Sequence, residues 1–323
     1  MNAPTPRVPV SLVTGFLGAG KTTLLNDVLA RDGGTGTAVL VNEFGEVGLD
    51  RHLISSRAEV SFEVSNGCIC CNRVLDLATT LKTLREESAQ GRLPPVNRVL
   101  VETTGLATPG PIVRTLLTDP SLTEAFKFTN CATVVDAAVG NVVLDDHHEA
   151  VDQVRAADLI VLTKVDRIPP GALDFRKLCR TLVTLNSDAR FVERALVTLA
   201  DLFDPASTDI LPPPPARHDH LPDVATFQLT APPTSSIAAH ERAFDELLQQ
   251  FGSAILRAKG LVRSPEDSDH PAALHVVHGA RSPPERLPAW PPGAPAGTFV
   301  VITRGVKRSA VEAAWARAWR AVR

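Results

Sequence analysis

The sequence predicts an α/β protein: a mainly parallel sheet with covering helices, followed by a small α+β domain. Three observations carry this expectation. Short apolar runs alternate with helical patterns over the first part of the chain, as parallel strands and their crossover helices do. A glycine-rich turn, closing in Gly20-Lys21-Thr22, joins the first apolar run to the first helical pattern. The proline run Leu211-Pro212-Pro213-Pro214-Pro215 then marks a stiff spacer before a segment of different character. The expected division is a first domain over residues 1–205, a linker with proline and histidine over 206–222, and a second domain over 223–323.

The elements follow from local pattern. Residues 8–14, rich in valine and leucine, read as a buried first strand. Leu24, Leu25, Val28 and Leu29 share one helical face, so 22–31 reads as the first helix. Further strands are expected at 38–41, 99–101, 133–135 and 159–162. Val74, Leu75, Ala78, Leu81 and Leu84 recur at helical spacing, and another helix is expected over 173–185. In the second domain strands are expected at 225–229, 255–262, 274–277 and 299–302, and helices at 236–250 and 309–321. The proline-rich residues 282–295 read as a surface loop.

Bulk composition excludes several classes. Of 323 residues 44% are hydrophobic and 21% charged, as in globular proteins, and the net charge of −3 argues against nucleic acid as a partner. No apolar run reaches the ~20 residues of a membrane helix, and residues 1–7 lack the apolar core of a signal peptide. A cytoplasmic location is therefore expected. In such a reducing compartment the five cysteines are better suited to metal or redox chemistry than to disulfides. Cys131 and Cys179 stand alone and read as buried apolar side chains.

Gly15-x-x-x-x-Gly20-Lys21-Thr22 lies between a strand and a helix, the context a phosphate loop requires. Backbone N–H groups of Gly15, Gly18, Ala19 and Gly20 can turn toward phosphate oxygens, with Thr23 continuing the turn into the helix. Lys21 supplies positive charge at the β- and γ-phosphates, and Thr22 a hydroxyl for Mg²⁺. Glu102 ends a later strand and can organise Mg²⁺ and the attacking water; Gly105 can follow the γ-phosphate with its N–H. Thr163-Lys164-Val165-Asp166 ends another strand. Asp166 can accept from the two donors on the guanine edge, the Lys164 stem can cover the ring, and Thr163 stands where guanine-reading loops place an asparagine that braces the phosphate loop. Asp136, at another strand end, can also face the nucleotide.

Cys68, Cys70 and Cys71 offer three thiolates within four residues, a donor set for Zn²⁺, with Co²⁺ as the alternative ion. Glu43, Glu46, a histidine or water can supply a fourth ligand. A redox pair and a buried structural cluster are the competing readings, although adjacent Cys70 and Cys71 are poorly placed to bond each other.

These motifs, in this order, resemble the CobW-like family of GTPases: GFLGAGKTT at 15–23, NEFGEVGL at 42–49, GCICC at 67–71, ETTGLA at 102–107 and TKVD at 163–166. The second domain resembles the family's C-terminal domain more weakly, as in RAKG at 257–260. The resemblance implies GTP hydrolysis, with GTP/GDP and Mg²⁺ bound, coupled to delivery of Zn²⁺ or a similar ion to a client metalloprotein. A homodimer is compatible with it. The rival from another class is a P-loop kinase acting on a small metabolite, separable by whether phosphate or a phosphorylated acceptor is released; a nucleotide-dependent thiol sensor is the third reading.

Overall fold

The computed structural model describes residues 6–42, 60–63, 72–169, 172–204, 224–232, 235–264, 267–277, 279–281, 283–287, 290 and 296–321. Two compact units divide the chain, Met1–Arg217 and His218–Arg323.

The first unit is built on strands β1 (Val8–Thr14), β2 (Thr37–Asn42), β3 (Val60–Glu63), β4 (Arg98–Thr103), β5 (Phe126–Asp136), β6 (Leu159–Thr163) and β7 (Arg190–Glu193). They pair in the order β3-β2-β4-β1-β5-β6-β7, all parallel. β1 is central, with Leu12 opposite Val101 on one side and Cys131 on the other. Because helices cover both faces, β1 buries Val10, Leu12 and Val13 completely, and its buried Ser11 donates to the Leu202 carbonyl. Helix α1 (Lys21–Asp32) and α8 (Leu199–Phe203) bury Leu24, Leu25, Val28 and Leu202 against Val13, Val134 and Val161. On the opposite face α5 (Gly140–Asp146), α6 (His148–Ala156) and α7 (Leu173–Leu185) bury Leu144, Val154, Leu178 and Leu182 against Val135, Ile160 and Leu162. Helices α2 (Asn72–Ala89), α3 (Pro109–Thr118) and α4 (Pro120–Thr123) complete the unit.

Several elements exceed the sequence expectation. β5 begins at Phe126 because Asn130 is tolerated in its buried middle: its amide donates to the carbonyls of Asp201 (3.3 Å) and Leu202 (2.8 Å). Asn186 follows the same rule after α7. It is fully buried, donates to the carbonyls of Val154 and Ala157 at 2.9 and 2.8 Å, and accepts from the N–H groups of Asp188 and Ala189. It thereby closes the C-terminal end of α6, whose last carbonyls lack helical partners. Cys131 is buried as expected, whereas Cys179 is only half-buried.

The second unit is an antiparallel sheet of β8 (Val224–Thr230), β9 (Ile255–Ser264), β10 (Asp267–Val277), β11 (Ala280–Arg281), β12 (Glu285–Arg286) and β13 (Thr298–Arg304), in the order β11-β10-β9-β13-β8 with β12 also on β10. Part of the expected 282–295 loop is thus strand: Arg286 pairs with Ala272. Helices α9 (Ile237–Phe251) and α10 (Arg308–Ala321) cover one face. Phe244 of α9 and Trp315 and Trp319 of α10 form a cluster with Phe299 of β13, meeting largely edge to face at 4.8–5.8 Å. Trp315 also donates to the Thr230 carbonyl at 2.9 Å. The third tryptophan, Trp290, lies under the guanidinium of Arg263.

His240 stands inside this cluster, 2% exposed, its ring 5.0 Å from Trp319. Nδ1 bonds the Ser236 carbonyl at 2.8 Å, and Nε2 has no hydrogen-bond partner among the described residues. Burial pushes its pKa below 6.5 despite that carbonyl. The unfolded chain therefore binds the proton more readily than the fold, so stability is complete above about pH 6.5 and falls as pH drops below it. Calorimetric melting between about pH 8 and pH 5 is expected to show a steeper loss for wild type than for His240→Phe.

Candidate nucleotide site

The C-terminal ends of β1, β4, β5 and β6 converge, the edge at which open parallel sheets bind ligands. Gly15 follows β1 with φ +143°, and a Cβ there would run into the Val134 carbonyl, so only glycine lets the chain pass β5. Gly18 and Gly20 carry φ of 70° and 96°, and Ala19 N–H closes the loop on the Phe16 carbonyl at 3.2 Å. Gly20 is the residue before α1, so the N-terminus of that helix opens into the loop. Lys21 is buried, its Nζ 2.9 Å from the Gly15 carbonyl and 3.3 Å from that of Phe16. The ammonium is therefore folded back across the loop it serves. Thr23, two residues further along, is exposed.

Thr22 and Glu102 meet directly: the hydroxyl donates to Glu102 Oε1 at 2.6 Å, and Glu102 is 5% exposed. A hydroxyl paired with a buried carboxylate, next to a lysine, is hard-oxygen donor chemistry of the kind Mg²⁺ takes. Thr103 hydroxyl donates to Thr14 hydroxyl at 2.8 Å, tying the ends of β4 and β1. Beyond it the Thr104–Ala107 turn closes with an N–H···O bond of 3.1 Å and brings Gly105 against the loop. A Cβ on Gly105 would lie 2.5 Å from Leu17 N and 2.7 Å from Leu17 Cα.

The Thr163–Asp166 motif is attached to the same loop. Thr163, fully buried at the end of β6, donates its hydroxyl to the Ala19 carbonyl at 2.7 Å. Thr163 thus bonds the loop from the position where guanine-reading motifs carry an asparagine. Lys164 adopts φ +55°, the single positive-φ residue other than glycine among those described. That strained conformation is held by two bonds from Nζ, to the Gly18 carbonyl (2.9 Å) and to Asp136 Oδ2 (2.6 Å). Asp136 is therefore the anchor of Lys164, and its other oxygen accepts from Ala138 N–H at 2.9 Å. Asp166 is exposed one turn further on, with no hydrogen bond or ion pair among the described residues.

Residues 9–193 match the family model described as CobW/HypB/UreG, nucleotide-binding domain, and residues 233–319 match that of the cobalamin synthesis protein cobW C-terminal domain. The chain belongs to the CobW/HypB/UreG family. Among its relatives is the zinc chaperone YjiA of Escherichia coli K12, 33% identical over 264 residues, spanning 79% of this chain and 81% of YjiA. The zinc chaperone CobW of Pseudomonas aeruginosa is 32% identical over 302 residues, spanning 80% of this chain and 78% of that protein. The crystal structure of Zn(II)-bound YjiA GTPase from E. coli aligns with TM-score 0.69 at 27% identity, over 97% of this chain and 99% of that one. A Zn(II)-bound YjiA in which a glutamate and two cysteines are replaced by alanine aligns equally well, with TM-score 0.70.

In this CobW-family chain Glu43, Glu46, Cys68, Cys70 and Cys71 lie outside the described residues. Among the described residues no group of three His, Cys, Asp or Glu side chains is arranged to hold a metal ion. No described helix is long and apolar enough to cross a membrane. Two side chains of the site were not expected from sequence. His147, just before α6, stacks on Phe16 of the phosphate loop with ring centroids 4.4 Å apart. Gln153, on α6 and 1% exposed, donates from Nε2 to the carbonyls of Gly105 and Ala107, both at 3.0 Å.

Proposed function

We propose that this protein hydrolyses GTP and couples that hydrolysis to the handling of zinc, which it takes up at Cys68, Cys70 and Cys71 and passes to a client metalloprotein. The carrying observation is that the phosphate-binding and base-reading loops are bonded to each other, through Thr163 to Ala19 and Lys164 to Gly18. A kinase reading accounts for neither these bonds nor the placement of Asp166.

Lys21 and the N-terminus of α1 hold the phosphates, and Thr22 with Glu102 would hold Mg²⁺, which neutralises charge on the β- and γ-phosphates when bound. Glu102 orients water toward the γ-phosphate, and Gly105 N–H tracks its presence. Positioning and fixed charge are the whole of the catalysis, because phosphoryl transfer needs little covalent help from protein. Asp136 holds Lys164 so that its stem covers the base while Asp166 accepts from the guanine edge.

Zinc chaperones among the relatives support zinc as the cargo. Their zinc-bound variant lacking two cysteines and a glutamate warns that zinc binding by itself is a weak criterion. Nucleotide dependence is the sharper one. Zn²⁺ affinity measured against a competing chelator is expected to differ between Mg-GTP-analogue and Mg-GDP states, and Cys70→Ser is expected to remove the difference. Equal affinity in both states would exclude a nucleotide-gated carrier. By reciprocity, zinc must shift GTP affinity by the same factor.

A further inference from the structure

Gln153 is a buried polar side chain that neither phosphate binding nor base reading uses directly. Its amide nitrogen has two protons, and both are committed to one short turn, at Gly105 and Ala107. The amide can sit only this way round, since a flip would set its oxygen against two carbonyl oxygens. Its own Oε1 is buried without a hydrogen-bond partner among the described residues. A core position that leaves a carbonyl unsatisfied favours an apolar side chain unless the donors are needed.

The surroundings fix the donors in place. Gln153's backbone carbonyl accepts from the Thr133 hydroxyl of β5 at 2.7 Å, and α6 is closed behind it by Asn186. The side chain shares the wall of a mainly apolar cavity with Phe16, Leu17, Val139 and Leu144. On its far side the Gly105 turn presses on Leu17 of the phosphate loop. The turn is thus held between the phosphate loop and a rigid helix, with Gln153 supplying its hydrogen bonds to the helix.

We propose that Gln153 is a positioning residue for the recognition of the γ-phosphate: it fixes the Thr104–Ala107 turn so that Gly105 N–H is ready to bond that phosphate. The proposal rests on the GTPase reading above. It assigns Gln153 to the discrimination of GTP from GDP, because GDP has no group for Gly105 to meet.

Gln153→Met keeps length and shape and removes both donors. Wild type and variant are titrated with GDP and with a non-hydrolysable GTP analogue in Mg²⁺, assayed for kcat and KM with GTP, and melted with GDP bound. The analogue is expected to lose about tenfold in affinity, the loss of one to two hydrogen bonds, with GDP affinity unchanged and kcat reduced. Equal loss for both nucleotides, or an unchanged ratio between them, would reduce Gln153 to a packing role and overturn the proposal. If the methionine variant does not fold, Gln153→Asn, one methylene too short to reach the turn, reads the same ratio. Wild type that binds neither guanine nucleotide would overturn the GTPase reading itself; wild type that binds both, with an unaltered ratio in the variant, overturns only the role of Gln153.

Discussion

Gly105→Ala is expected to lower GTP turnover by about a hundredfold or more while GDP remains bound. The added methyl has nowhere to go. It would lie 2.5 Å from Leu17 N and 2.6 Å from Leu17 Cδ2, and the backbone atom cannot swing aside as a side chain can. Gln153 prevents the turn from backing away in the other direction. Relief must come from shifting the turn or the phosphate loop, and a displacement of about 1 Å is enough to cost ~10²-fold in a reaction that depends on positioning. In the proposed site GDP would be held by the loop and α1, not by the turn, so GDP titration should change little. Phosphate release against GDP affinity is the measurement. Near-normal turnover would mean that Gly105 does not approach the γ-phosphate at all.

Asp166→Asn should change which base the protein accepts. The exposed carboxylate at the end of the base-reading loop is an acceptor only, matched to the adjacent N–H and NH₂ of guanine. An asparagine amide presents a donor as well, which opposes the guanine amine and suits a carbonyl in the same position. Xanthine differs from guanine by that exchange. Affinity for GTP is expected to fall by about 10²-fold and that for XTP to rise above it, since sites built on paired hydrogen bonds reject analogues that leave a group unpaired. Competition between GTP, XTP and ATP for the wild type and the variant reads the result. ATP competing as well as GTP against the wild type would remove Asp166 from base recognition.

Elements whose burial is expressed as a regular spacing of apolar residues were legible in the sequence. β1 and α7 have the expected limits, and the phosphate loop sits between strand and helix as its glycines require. The second unit's helices and central strands were legible for the same reason. What escaped was built from polar side chains that the fold buries. α6 holds Asp152, Gln153 and Arg155 inside, the first and last as an ion pair at 3.6 Å, so its helical face looks like a surface when read locally. Gln153 finds its partners 46 and 48 residues earlier in the chain, a relation no local pattern contains. Thr163 was visible, but its ability to replace an asparagine depended on the distance to Ala19. Asp136 was visible too, and its role emerged only once Lys164 was seen to fold onto it.

The distribution of aromatic residues has an optical consequence. The chain has three tryptophans and no tyrosine, and Trp290, Trp315 and Trp319 all fall within His218–Arg323. Excited at the red edge of its absorption, the nucleotide-binding unit is dark and the other unit is the sole emitter. Trp315 and Trp319, packed edge to face with each other and with phenylalanine and histidine rings, sit where small shifts in packing alter quenching. Any change in emission when a GTP analogue displaces GDP has therefore crossed from one unit to the other, and the native protein carries its own label for following that signal in real time.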